Sequence, residues 1–124
     1  MKHISKFFAI IIVAFFLFTG FSFAQDAVKV DSKHYKVEFE NDQVRVLRVS
    51  YGTGEKSVMH AHPNAVAVFL TDVQNKFTLP DGKSVLANSK AGTTMWTPEG
   101  KHLPENLGSK PFELIVVELK SPKK

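Results

Sequence analysis

The chain has 124 residues, no cysteine, and 16 Lys and Arg against 12 Asp and Glu, for a formal net charge of +4. Without cysteine, disulfide staples and a lipid-modified cysteine anchor are excluded, so a small domain must rely on a closed sheet, a bound metal or self-association. The excess of positive charge lies in the first residues and in a Lys-rich tail (Lys120, Lys123, Lys124), so the basic face of a nucleic-acid binder is missing and no nucleic-acid partner is expected.

Residues 1–24 have the order of a secretory signal peptide. A basic opening, Met1 to Lys6, precedes twelve unbroken apolar residues from Phe7 to Phe18, and Ser22-Phe23-Ala24 offers small residues at the exit. The run falls short of the about 20 apolar residues a membrane span needs. Cleavage near Ala24, export to the periplasm or the medium, and no stable membrane anchor thereafter are the expectations. Taking 24 of 124 residues away leaves 100, and it removes Lys2 and Lys6 but no acid. The mature chain then carries 14 basic against 12 acidic side chains, a net charge of +2. Residues 25–124 are expected to form a single domain.

After a polar lead-in over 25–34, apolar and polar side chains alternate with a period of two, the pattern of half-buried strands. Tyr35 to Glu40 and Gln43 to Val49 are predicted strands joined at Asn41-Asp42, with the arginines of the second on the wet face. Gly52 and Gly54 interrupt the chain before Ser57–His62. Pro63-Asn64 separates that segment from an apolar strand over Ala65 to Thr71. Asn75 to Leu79 and Ser84 to Ala87 flank the tight turn Pro80-Asp81-Gly82-Lys83. Thr93 to Thr97 precedes the turn Pro98-Glu99-Gly100, and Phe112 to Leu119 is a long closing strand. No segment shows helical periodicity. The fold class is all-β, a sandwich or barrel of about eight short strands.

Histidine placement carries the chemistry. Residues i and i+2 of a strand share a face, so His60 and His62 project together. Two imidazoles on one face suit a transition ion. The same parity extended through Asn64, Val66, Val68 and Leu70 predicts a stripe running from polar into apolar, looking into a barrel. His102 follows the turn at Pro98-Glu99-Gly100, which brings it back toward the same mouth.

Two stretches resemble the conserved motifs of the cupins. Gly54, five residues, then His60-Ala61-His62 is similar to the first half of the first motif. Gly92, Pro98-Glu99-Gly100, His102 and Asn106 are similar to the second, one residue shorter between Gly100 and His102. The resemblance implies an antiparallel jelly-roll β-barrel whose histidines hold a divalent metal inside, with His60, His62 and His102 as ligands. It also implies a tendency to form homodimers. The sequence departs from the pattern where cupins commonly place a glutamate, four residues after the second histidine; Val66 stands there. The consequence is either a neutral three-histidine site with open positions, suited to iron, zinc, nickel or manganese, or a barrel that has lost its metal. Asn64, Val66, Val68 and Asn106 are the candidate supporting or pocket residues, Asn64 as a weak oxygen donor or water holder. Glu105 is a further carboxylate, in an unfavourable register against His102.

Other polar and aromatic residues have plainer expectations. His34 is read as solvent-facing, Glu113 and Glu118 as wet-face charges, Met95 and Trp96 as core or pocket lining. Phe69 is read as facing away from the histidine stripe. Three functions stay open: a metal-dependent enzyme of dioxygenase-like or isomerase-like type acting on a small molecule, a non-catalytic barrel holding a small ligand, and a structural barrel. No catalytic acid, base or nucleophile is assigned.

Overall fold

Alternation carries the chain into strands almost throughout. The computed structural model describes residues 25–122; the expected signal segment lies outside the described residues. Within them one helical turn, α1 (Ala27–Val30), precedes nine strands: β1 (Tyr35–Glu40), β2 (Val44–Tyr51), β3 (His60–His62), β4 (Ala65–Phe69), β5 (Val73–Thr78), β6 (Ser84–Ser89), β7 (Thr94–Thr97), β8 (Gly100–Asn106) and β9 (Phe112–Leu119). The turn at α1 departs from the helix-free expectation. It is too short to leave a periodic signature, and it forms because the Asp26 carbonyl accepts from the amides of Lys29 and Val30 at 3.0 Å while Ala27 is buried.

The strands form two antiparallel sheets, one of five strands in the order β1-β2-β9-β4-β7 and one of four in the order β3-β8-β5-β6. This is a jelly-roll arrangement, as expected. Its hydrophobic interior is built by cross-strand rows of the five-stranded sheet. Val49 lies opposite Leu114, and Leu114 opposite Phe69; Leu47 lies opposite Val116, and Val116 opposite Ala67. Burying each large member of such a row contributes about 1.5–3 kcal/mol. The four-stranded sheet adds Phe77 opposite Pro104 and Val85. At the β5–β6 turn Gly82 has φ +86°, a left-handed conformation that a side chain would strain, and its amide donates to the Leu79 carbonyl at 2.9 Å. Among the described residues no helix is long and apolar enough to cross a membrane.

Parity breaks between β3 and β4. His60 and His62 belong to the four-stranded sheet, and the chain crosses to the other sheet over Pro63-Asn64. The crossing resets which residues face inward: Ala65, Ala67 and Phe69 are buried, while Val66 and Val68 are only partly so. The stripe expected to continue from the histidines through Val66, Val68 and Leu70 therefore ends at the proline. Leu70 is 44% exposed.

Candidate metal centre

Strand pairing gathers the histidines. β3 and β8 run antiparallel with His60 directly opposite His102, and His62 follows two residues along the same face. The three rings lie edge to face, with centroids 4.7 Å apart for His60–His62, 5.0 Å for His60–His102 and 5.2 Å for His62–His102. One nitrogen from each falls within 4.8 Å of the others. His60 is fully buried, His62 is 8% exposed, and the His102 ring stacks on Phe77 at 4.7 Å.

The second nitrogens fix how the rings are presented. His60 Nδ1 donates to the Val58 carbonyl at 2.8 Å and lies 3.3 Å from Ser57 Oγ. His62 Nδ1 donates to Glu118 Oε2 at 2.8 Å. Both rings thus turn Nε2 toward the cluster as a lone pair. Nε2 of His60 and of His102 are buried and have no hydrogen-bond partner, an arrangement a buried polar atom seldom keeps unless something binds it. Burial, reinforced by the neighbouring His62, lowers the pKa of His60 to about 4 and that of His102 to about 3. Both are therefore neutral near pH 7, the form that binds metal. The donor set fits a transition ion that accepts imidazole nitrogen.

Two layers of polar groups stand behind the rings. Glu118 is 2% exposed and accepts from Arg45 Nε at 2.7 Å through its other oxygen. Arg45 in turn is held by Asp26, whose Oδ2 accepts from Nη1 at 3.2 Å. On the other side Ser57 donates to Asp31, which accepts from His34 Nδ1 at 2.7 Å. His34 Nε2 lies 2.8 Å from Glu55 Oε2, and the ring stacks on Tyr51 at 4.1 Å. Tyr35 places its ring against His60 at 4.8 Å and joins hydroxyls with Tyr51 at 2.7 Å. Burial pushes both phenols well up, so they stay protonated.

Several sequence expectations change here. Glu118 is not a wet-face charge and Arg45 is not a wet-face arginine, because Arg45, Glu118 and Ala65 form one inward row across β2, β9 and β4. Parity could have shown it: Phe112, Leu114, Val116 and Glu118 share a face. Apolar Ile115 and Val117 on the opposite face hid the distinction. His34 is not solvent-facing but 6% exposed, covered by Tyr51. Phe69 lines the interior. Asn64 is exposed, and its Oδ1 accepts from the Glu99 amide at 2.8 Å, which pins a turn. Asn106 is buried, but its side chain holds the carbonyls of Gly52 and Lys110 and the amide of Gly108, bracing loops. Val66 and Val68 pair with Trp96 and Thr94 on the other face of β4, away from the histidines. Glu105 pairs with Lys76.

A cavity of about 450 Å³ opens onto the histidines. His62 and His102 form part of its wall, and Val49, Phe69, Phe77 and Leu114 supply much of the rest. Its lining includes no carboxylate, and Lys101 is its single charged member.

No family model and no curated protein matches the sequence. Solved structures do. The chain is similar to a cupin domain from Bordetella pertussis Tohama I, with 26% identity and a TM-score of 0.65 over 70% of this chain and 92% of that one. It is also similar to an RmlC-like cupin family protein with a double-stranded β-helix fold from Methanocaldococcus jannaschii, with 22% identity and a TM-score of 0.54 over 72% and 83%. A third likeness is the polyketide cyclase RemF from Streptomyces resistomycificus, with 14% identity and a TM-score of 0.54 over 72% and 66%. The last two carry the fold alone.

Proposed function

We propose that this chain, a small cupin-type domain, is an exported metal-dependent protein that acts on a compact, largely apolar molecule. His60, His62 and His102 would hold one divalent transition ion, iron, zinc, nickel or manganese, through their Nε2 atoms. The observation that carries the reading is the pair of buried, unpartnered Nε2 atoms of His60 and His102 turned toward one cluster. When bound, such an ion supplies Lewis-acid polarisation of a ligand oxygen or activation of dioxygen, the chemistry behind isomerase-like and dioxygenase-like reactions.

The chain's own residues do the rest. The apolar wall excludes water and selects for uncharged surface. Its one end at His62 and His102 orients a ligand's donor atom inward, and the paired Tyr35 and Tyr51 phenols, one donating to the other, leave at most one O–H beside the rings. The order of residues 1–24 supports export, which would put the site in the cell envelope or outside the cell.

A second reading has one observation in its favour. The cavity wall offers no carboxylate as a proton acceptor, which suits a barrel that holds its ligand without turnover. Elemental analysis of the protein, purified without chelator or a histidine tag, tests the first reading beside a His60→Ala/His62→Ala control. Expected is about one first-row ion per chain, lost in the control. A protein that takes up no ion even on reconstitution would leave the ligand-holding barrel as the better account.

A further inference from the structure

The histidine site lacks a negative charge of its own. Its three donors are imidazoles, ligands that bring no negative charge, the cavity wall holds no carboxylate, and Val66, in place of the motif's glutamate, lies on the far face of β4. A divalent cation surrounded only by neutral groups in a buried pocket is poorly compensated. One carboxylate is nevertheless within reach. Glu118 is buried, and it divides its oxygens, one to Arg45 Nε at 2.7 Å and one to His62 Nδ1 at 2.8 Å.

We propose that Glu118 is the positioning residue of this site, supplying from behind His62 the negative charge that the ligand set itself lacks. The proposal rests on the metal-holding reading above. A carboxylate that accepts from Nδ1 fixes the proton there, leaves Nε2 as the donor, and makes the imidazole a stronger base. Charge bookkeeping along the row supports it. Asp26, Arg45 and Glu118 follow one another by hydrogen bonds, two carboxylates about a single guanidinium. Arg45 is shared between Asp26 and Glu118, so the three side chains together carry one excess negative charge, and Glu118 is the member that touches His62. His60 has no carboxylate on its ring, for its Nδ1 meets the Val58 carbonyl and the Ser57 hydroxyl, and Asp31 stands one bond further back. The burial of Glu118 is thus explained by the ring it faces. A buried ion pair with Arg45 alone would add little stability.

The experiment compares Zn(II) affinity, by competition with a chromophoric chelator, in the wild type, E118Q and D26N. Glutamine keeps an acceptor for His62 Nδ1 and removes the charge; D26N disturbs the same ion-pair row without touching a histidine. Expected is a loss of about 10–100-fold in E118Q and a clearly smaller one in D26N, where the carboxylate stays on His62 Nδ1 while Arg45 loses its second counter-charge. Equal losses in both variants, or E118Q binding as tightly as wild type, overturn the proposal while leaving the metal site standing. A wild type that binds no Zn(II) overturns the metal-holding reading and this proposal with it. An independent measurement needs no variant to fold: ¹⁵N NMR of the metal-free wild type is expected to show His62 protonated at Nδ1, and protonation at Nε2 instead overturns the assignment.

Discussion

Burial of uncharged imidazoles gives the metal-free protein an acid-side weakness. His60 and His102 have folded-state values near 4 and 3, below the ordinary 6.5. Below pH 6.5 the unfolded chain takes up protons that the folded chain refuses, so the stabilisation is complete above that value. It is lost as pH falls toward the folded-state values. Thermal melts of the metal-free protein from about pH 7.5 down to about pH 4.5 are expected to drop by on the order of 10 °C or more, a loss on the order of a few kcal/mol. A His60→Asn/His102→Asn variant is expected to melt with a flatter profile; an unchanged slope would place the weakness in other groups. At this scale the sequence was informative where parity was unbroken. His60 and His62 share a strand, and the turn at Pro98-Glu99-Gly100 returns His102 to them. Glu118 escaped notice because its strand is apolar on both faces. His34 escaped because its cover, Tyr51, comes from 17 residues along the chain and from the next strand.

Among the elements, β4 is the one whose orientation sequence reasoning inverted. A strand's parity is reliable only within that strand, and Pro63-Asn64 lies where the chain leaves one sheet for the other. The inward set is Ala65, Ala67 and Phe69, with Ala67 and Phe69 on the cavity wall. Ala67→Leu should fill part of the cavity and abolish the binding of an apolar fluorescent dye, at a stability cost of about 1–3 kcal/mol. Val66→Thr, one residue away on the other face, should leave dye binding unchanged. Fluorescence titration of the two variants checks this; equal effects at both positions would contradict the orientation of β4. The hairpins were easier to read, since Asn41-Asp42 and Pro80-Asp81-Gly82 mark their turns locally. α1, a single turn, has no period to detect.

For the whole molecule, a ligand that binds only the folded state stabilises it by mass action. An ion at about 100 times its Kd adds about 2.7 kcal/mol, which in a domain of this size raises Tm on the order of 10 °C. Differential scanning fluorimetry with Zn(II), Ni(II) or Mn(II) should show such a rise for at least one of them, reversed by chelator and absent from His60→Ala/His62→Ala. A melting curve indifferent to all of them would count against the site. The all-β class was legible from the period of two and the spacing of turns. The order of strands within each sheet was not, because β9 lies between β2 and β4, and local pattern does not record which distant strand becomes a neighbour.

That central place of β9 has a consequence for how the protein comes into being. His62 and its carboxylate partner are 56 residues apart, and Arg45 and Glu118 are 73 apart. During vectorial synthesis the histidines of β3 emerge long before the strand that braces them. Until β9 arrives, β2 and β4 have no common neighbour, and His62 has neither its proton acceptor nor its fixed tautomer. Contacts of such long range close late and slowly. The complete histidine cluster is therefore a product of the finished chain, and an ion held by all three rings would be captured only at the last stage of folding.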